Sequence, residues 1–260
     1  MGNVFAKAGI AAVFLAGSIV AAQPSEAAGG AAPPPSQDWS WEGPFGSYDM
    51  AAAQRGLQVY LEVCASCHGL RLVAYRNLSA LGYSEDEIKE LAAEFEVEDG
   101  PDDEGEMFTR AAIPADRFVS PFPNDNAARF ANNGALPPDL SLMVKARPNG
   151  ANYLYALLTG YSEDVPDDIE VQEGMNYNTY FGGNQIAMAA PLYEDGVEYA
   201  DGTPATISQM ASDVTTFLAW ASEPTLEERK QMGVTVMIFL FVFLGLLIAV
   251  KRRVWSKVEH

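Results

Sequence analysis

Basic residues, cysteines and histidines are all scarce in this chain. Sixteen Lys and Arg stand against 35 Asp and Glu, a formal charge of −19 over 260 residues. So large a deficit excludes a nucleic-acid binder working through a basic face and favours cationic partners. The only cysteines are Cys64 and Cys67, too close to staple distant parts of the fold, and the only histidines are His68 and His260. Four such residues, one of them at the far end of the chain, make a poor zinc tetrahedron. No internal repeat is visible, and no alternating run is convincing enough for a sheet. Apolar residues are not scarce: 48 % hydrophobic content supports a real core and excludes wholesale disorder.

The ends carry targeting signals. Lys7, the apolar run 8–22 and the small residues Val20-Ala21-Ala22 read as a secretory leader over residues 1–22. An uncleaved N-terminal anchor is the alternative, with Ala27 and Ala28 offering a second cleavage site. From Met232 to Val250 the chain has no charged residue. As a helix that run is about 28 Å long, close to the hydrocarbon thickness of a bilayer, so 232–250 is expected to be a transmembrane anchor. Lys251, Arg252, Arg253 and Lys257 follow, and the positive-inside bias makes 251–260 a cytoplasmic tail and the main domain exported. Between leader and anchor, residues 23–231 hold 34 acids and 11 bases.

Residues 23–47, rich in Ala, Gly and Pro, read as a linker, and 48–231 as the folded domain. A helix is expected from Asp49, its N-cap, with Leu57, Tyr60, Leu61 and Cys64 at helical spacing and Gly56 hinting at close packing. Ser84 with Glu87 forms a capping box for a helix to Ala93, and 152–158 and 206–221 are further helices. The remainder is punctuated by Pro137-Pro138, Gly150, Gly160, Pro166 and Gly182-Gly183, which predicts loops. Long loops in a folded domain need something to pack around, and a bulky cofactor would supply it.

Cys64-Ala65-Ser66-Cys67-His68 has the spacing for c-type haem attachment, in which two thiols add to the vinyl groups and the adjacent histidine lies beneath the iron. A thioredoxin-like redox pair or half a zinc site would show the same cysteines, but neither a βαβ pattern nor further cysteines accompany them. His260 falls beyond the anchor, so bis-histidine ligation within the chain is excluded. Methionine is the usual sixth ligand and raises the potential. The candidates are Met50, Met107, Met143, Met175, Met188 and Met210. Met210 lies on the stripe of a core helix and Met50 is too near the motif to cross the haem. Met175 and Met188 both lie in Gly-rich loops, and spacing does not separate them.

The stretches from Arg55 into Cys64-Ala65-Ser66-Cys67-His68-Gly69, then ANNGALPPDLS (131–141), LLTGY (157–161), IAMAAPLY (186–193), DGTPAT (201–206) and FLAWASEP (217–224), resemble the cytochrome c1 family. That family is the haem subunit of the cytochrome bc1 complex, and the resemblance covers about residues 40–256. It implies a mainly α, class-I-like cytochrome c domain with long loop insertions and one C-terminal transmembrane helix. It also implies one haem c on Cys64 and Cys67, with His68 and Met188 as axial ligands, and Arg147 against a propionate. Asn132, Pro138, Tyr153, Leu158, Phe181, Ile186 and Pro191 match haem-pocket positions. Two departures stand out: Ala189-Ala190-Pro191 replaces a run of prolines found in many bacterial relatives, and no cysteines remain for the second disulfide of some.

By resemblance the chain is an electron carrier. It is expected to accept an electron from the Rieske iron–sulfur subunit and pass it to a cytochrome c, within a quinol:cytochrome c oxidoreductase that also contains cytochrome b and is dimeric. The expected site is the bacterial inner membrane, with the haem domain in the periplasm. No substrate chemistry of its own is required. The segment from Glu85 to Glu106 holds 12 carboxylates and one lysine, and suits a cationic cytochrome c acceptor. A free-standing anchored cytochrome c and a haem-free thiol–disulfide protein are the rival readings.

Overall fold

The structure is a computed structural model that describes residues 31–256. The leader, the first part of the linker, Lys257 and His260 lie outside the described residues. The chain folds into a mainly α domain followed by one long helix.

Helix α1 (Met50–Val59) starts where Asp49 accepts a hydrogen bond from the Ala52 amide, and it continues as a π-helical turn, Tyr60–Cys64. Helix α6 (Ile207–Ser222), capped by Thr206, crosses it. The crossing is close because Gly56 has no side chain: a Cβ there would lie 2.0 Å from the Asp213 carbonyl oxygen and 2.8 Å from Phe217 Cβ. Leu57, Val59, Tyr60, Met210, Val214, Phe217 and Trp220 fill this seam, all essentially inaccessible. Helix α5 (Gly150–Thr159) packs on the other side of α6, and a single helical turn, α4 (Met143–Ala146), closes the end.

A buried ion pair locks the crossing. Arg55 makes a bidentate contact with Asp213 at 2.9 and 3.0 Å and reaches Asp201 at 2.9 Å. The Asp213 side chain is 1 % exposed, so its charge has no water to fall back on. Arg55→Ala is therefore expected to cost roughly 3–5 kcal/mol of stability, because a buried carboxylate loses its partner. Denaturant unfolding of the holoprotein, compared with Arg55→Lys, checks this.

Helix α2 (Glu85–Ala93) has the reciprocal Ser84–Glu87 capping box expected from the sequence. Several elements depart from the expectation of an all-loop remainder, among them a 3-10 helix, Tyr75–Leu81. Strands β1 (Glu96–Asp99) and β2 (Phe108–Ala111) form an antiparallel hairpin, and β3 (Asn176–Tyr177) pairs with β4 (Gln185–Ile186). Both ribbons are too short to show an alternating pattern. The first is held instead by Arg110, which pairs with Asp99 and bidentately with Asp116. The short helix α3 (Asp125–Ala131), capped by Asn124, was also illegible because its apolar face is little more than Ala128.

Residues 31–47 form no regular element, as their composition suggests, yet their second half is no free spacer. Trp39 and Trp41 are buried and stacked at 4.8 Å, and the Gln37 amide and Trp39 Nε1 both donate to Asn152 Oδ1 of α5. Two indoles bury too much apolar surface to stay in solvent, so they strap the segment onto the domain.

Helix α7 (Leu226–Trp255) is among the described residues the one helix long and apolar enough to cross a membrane. Its start is fixed to the domain by Glu223, which pairs with Lys145 at 2.7 Å and with Arg229. Tyr48 adds a second tie, its hydroxyl donating to the Ala219 and Glu223 carbonyls and its amide to Glu227.

Candidate functional site

The π-helical turn at the end of α1 delivers the cysteines. Ala65 N donates to Tyr60 O at 2.8 Å, and the amides of Cys67 and His68 both return to Cys64 O at 3.1 and 2.9 Å. The CxxCH segment thus curls over its own first cysteine. Tyr60, wholly buried in the α1–α6 seam, holds the far end by donating its hydroxyl to His68 O at 3.1 Å.

A loop some 70 residues downstream is clamped to this turn. Leu140 N donates to Gly69 O at 2.8 Å, the Asp139 carboxylate accepts from the amides of Arg71 and Ser141, and the buried Ser141 hydroxyl accepts from Leu72 N. The clamp sets Pro138 O 2.8 Å from His68 Nδ1. A carbonyl only accepts, so Nδ1 carries the proton and Nε2 keeps its lone pair for a metal. Burial lowers the His68 pKa, which favours the neutral imidazole that metal ligation requires. Gly69 is closely hemmed in, since a Cβ would lie 3.1 Å from Ser120 Oγ and 3.2 Å from Asp139 Oδ2, tight enough that those side chains would have to give.

Beside this turn opens a cleft of about 710 Å³, lined among others by Cys67, Pro138, Met143 and Arg147 and by the segment Ser120–Asp125. Its size suits a large cofactor. Arg147 forms no ion pair among the described residues, its guanidinium donating only to the neighbouring Ala146 carbonyl. A cation lining a cleft without a carboxylate of its own fits an anionic ligand edge such as a propionate.

Met188 lies on a second segment. Its carbonyl accepts from the Tyr161 hydroxyl at 3.1 Å and from Asn176 Nδ2 at 3.3 Å, so the backbone around it is fixed. The buried Asn178 holds the same segment to the end of α5: its amide group donates to Leu157 O and accepts from the backbone of Tyr180 and Phe181. Tyr153, on α5, is half-buried, and burial raises its phenol pKa, as it does that of Tyr161.

Of the residues anticipated from sequence, the cleft itself gathers Cys67, Pro138 and Arg147. Leu158 and Ile186 are buried, Asn132 turns its side-chain amide to cap α3 at Ala128 O, and Phe181 and Pro191 are half-buried on the Met188 segment. Among the other methionines, Met210 is wholly buried in the α1–α6 seam, while Met107 is exposed. Sequence reasoning passed over Asp139, Ser141, Asn178 and Ser120–Asp125. The signal for Asp139 and Ser141 was there, in polar side chains immediately after Pro137-Pro138, where loop backbone needs partners.

The donor set favours a haem over a redox disulfide. Burial with the nearby Cys67 pushes the Cys64 thiol up to about 12. Thiol–disulfide catalysts need the opposite shift, towards a thiolate at neutral pH.

The Cytochrome C1 family matches residues 39–258, from the first strapped tryptophan through the whole of α7. The chain belongs to the cytochrome c1 family. A cytochrome c1 of Rhodospirillum rubrum is 52 % identical over 239 residues, covering 86 % of this chain and 88 % of the relative. A mitochondrial cytochrome c1 haem protein of Arabidopsis thaliana is 55 % identical over 223 residues, 85 % of this chain and 72 % of its own length. The cytochrome b/c1 of Bradyrhizobium diazoefficiens is 45 % identical over 282 residues, and 97 % of this chain corresponds to 41 % of that longer protein. The protein is thus a membrane-anchored, c-type haem electron carrier of the bc1 complex, and its two cysteines suit covalent attachment.

Proposed function

We propose that His68 and Met188 are the axial ligands of a haem c held through Cys64 and Cys67, and that the chain relays single electrons from the Rieske iron–sulfur subunit to a cytochrome c. The observation that carries this reading is the 2.8 Å contact between His68 Nδ1 and Pro138 O, next to the paired cysteines and the cleft. A ligating histidine whose other nitrogen donates to a carbonyl is oriented and made more basic. When bound, the haem supplies a one-electron couple whose potential a thioether ligand raises.

The residues of the chain then have distinct tasks. Pro138 O and the Asp139–Ser141 clamp orient the imidazole. Tyr161 and Asn176 fix the Met188 backbone, and Arg147 would neutralise a propionate. Asn132, Pro138, Tyr153, Leu158, Phe181, Ile186 and Pro191 would line the haem pocket and limit its contact with water. With His68 and Met188 both holding the iron, no open position would remain for a substrate, and the site would serve electron transfer alone.

Cytochrome b is the proposed membrane neighbour, by analogy with the b/c1 protein of Bradyrhizobium diazoefficiens. The chain is proposed to span the bacterial inner membrane once, with the haem domain periplasmic, residues 251–260 cytoplasmic and the parent complex dimeric. Depleting the Rieske subunit from membranes is expected to abolish quinol-driven reduction of the c-type absorption band while b-type bands still respond. Continued fast reduction of the c-type band would sink the donor assignment.

The acceptor is proposed to be a cationic cytochrome c docking near the acidic segment 85–106. In that segment Glu87 is occupied by its cap, Asp99 by Arg110 and Asp102 by turn amides. Asp86 is paired with Lys89, and Glu85, Glu90, Glu94, Glu96, Glu98, Asp103, Glu104 and Glu106 remain exposed and without an ion pair among the described residues. Opposed fields speed encounter and are screened over about 8–10 Å at physiological salt. The second-order rate constant for acceptor reduction is expected to fall steeply with ionic strength, and less steeply after Asp103, Glu104 and Glu106 are changed to Asn, Gln and Gln.

A further inference from the structure

One large apolar side chain stands outside both core and cleft. Phe45 is 84 % exposed at the tip of the loop 41–47. That loop is not slack. Ser47 N donates to Ser40 O, Glu42 N donates to Trp39 O, Gly43 turns at φ 70, and Trp41 at its base is buried. Two contacts bolt it to the start of α7: Lys230 Nζ donates to Trp41 O at 2.5 Å and Gly46 O at 2.9 Å, and Glu227 accepts from Tyr48 N.

The bolts place the tip at a definite height. Phe45 and Pro44 share a recess of about 340 Å³ with Lys230, Gln231, Val234 and Thr235. The uncharged run of α7 begins at Met232, so the recess reaches about 4–5 Å, three residues of helical rise, into the segment that crosses the membrane. A rigid, exposed aromatic at that level lies where interfacial side chains bury their apolar bodies and leave polar neighbours in the headgroups.

We propose that the loop 41–47 is a second membrane contact, with Phe45 and Pro44 seated in lipid at the outer boundary of the bilayer beside α7. The occupant is lipid because the apolar tip is continuous with the lipid-crossing helix. With Glu227 and Lys230 at the same level, the recess above it suits a zwitterionic headgroup. Together the loop and the helix fix how the haem domain stands on the membrane.

The test uses the full holoprotein, in which both native cysteines are consumed by haem, so Phe45→Cys supplies the single thiol for a nitroxide label. The protein is placed in phosphatidylcholine vesicles, alone and within its complex, and collisions of the label with oxygen and with a water-soluble nickel chelate are measured. The reading expected is a strong loss of nickel collisions with oxygen collisions retained, relative to a label at Glu104→Cys. Nickel collisions as frequent as at position 104 would overturn the proposal. So would shielding from both agents, which means that protein covers the loop. Pro44→Cys gives an independent reading should Phe45→Cys lose its haem. A label at Val242→Cys separates two failures: if it too meets nickel, the anchor itself is misassigned, whereas lipid at 242 with water at 45 defeats this inference alone.

Discussion

Met188→Leu is expected to lower the haem midpoint potential by on the order of 0.2 V or more, a sizeable share of the roughly 0.8 V range that axial ligands set. The substitution is selective for ligation. Leucine matches the volume of methionine, and the contacts that hold this segment, from Tyr161 and Asn176, go to the backbone carbonyl. Only the thioether is removed, and with it the soft donor that favours ferrous iron. The same change at Met175 is expected to leave the potential within a small fraction of that shift. A redox titration of both variants, followed at the c-type band, checks this. An unmoved potential in Met188→Leu with a lowered one in Met175→Leu would transfer the ligand to position 175.

The second large effect is structural. Gly56→Ala is expected to destabilise the domain by at least about 3 kcal/mol, at or beyond the upper end of ordinary overpacking. The added Cβ would meet the Asp213 backbone oxygen at 2.0 Å, and a helix carbonyl does not step aside as a flexible side chain does. Relief requires α1 and α6 to separate, which would open the seam around Phe217 and Tyr60 and pull at the turn bearing Cys64. Against a total stability of only about 5–15 kcal/mol, the yield of haem-bearing protein should fall sharply. Ala51→Gly, on the exposed side of the same helix, should cost no more than about 1 kcal/mol. Comparing the c-type band per unit of chain with denaturant midpoints for both variants checks the contrast.

Much of the fold was legible where order is local. Asp49, the Ser84–Glu87 box and Thr206 start α1, α2 and α6 because caps act within four residues. Gly56 marked a close crossing because few other reasons place glycine inside an apolar stripe. The CxxCH spacing carries its own chemistry, so Cys64, Cys67 and His68 stood out unaided, whereas Met188 emerged from Met175 only by family resemblance. What was missed is non-local. Asp139 and Ser141 gain their roles from amides 68 and 69 residues away, and Asn178 from a helix end 21 residues back. The pairing of β1 with β2 depends on Arg110 reaching Asp99 and Asp116, which no periodicity announces. The strapped Trp39 and Trp41 were hidden by their setting among Pro, Gly and Ser, where composition suggested a spacer.

The central claim is that this chain carries electrons as part of a bc1 assembly. It is tested most directly by tagging the C-terminal end, purifying from gently solubilised membranes and recording a reduced-minus-oxidised visible spectrum of what is recovered. The account predicts a c-type band accompanied by b-type haem bands. A c-type band standing alone, under conditions that keep such complexes intact, would contradict it and point to an independent anchored carrier.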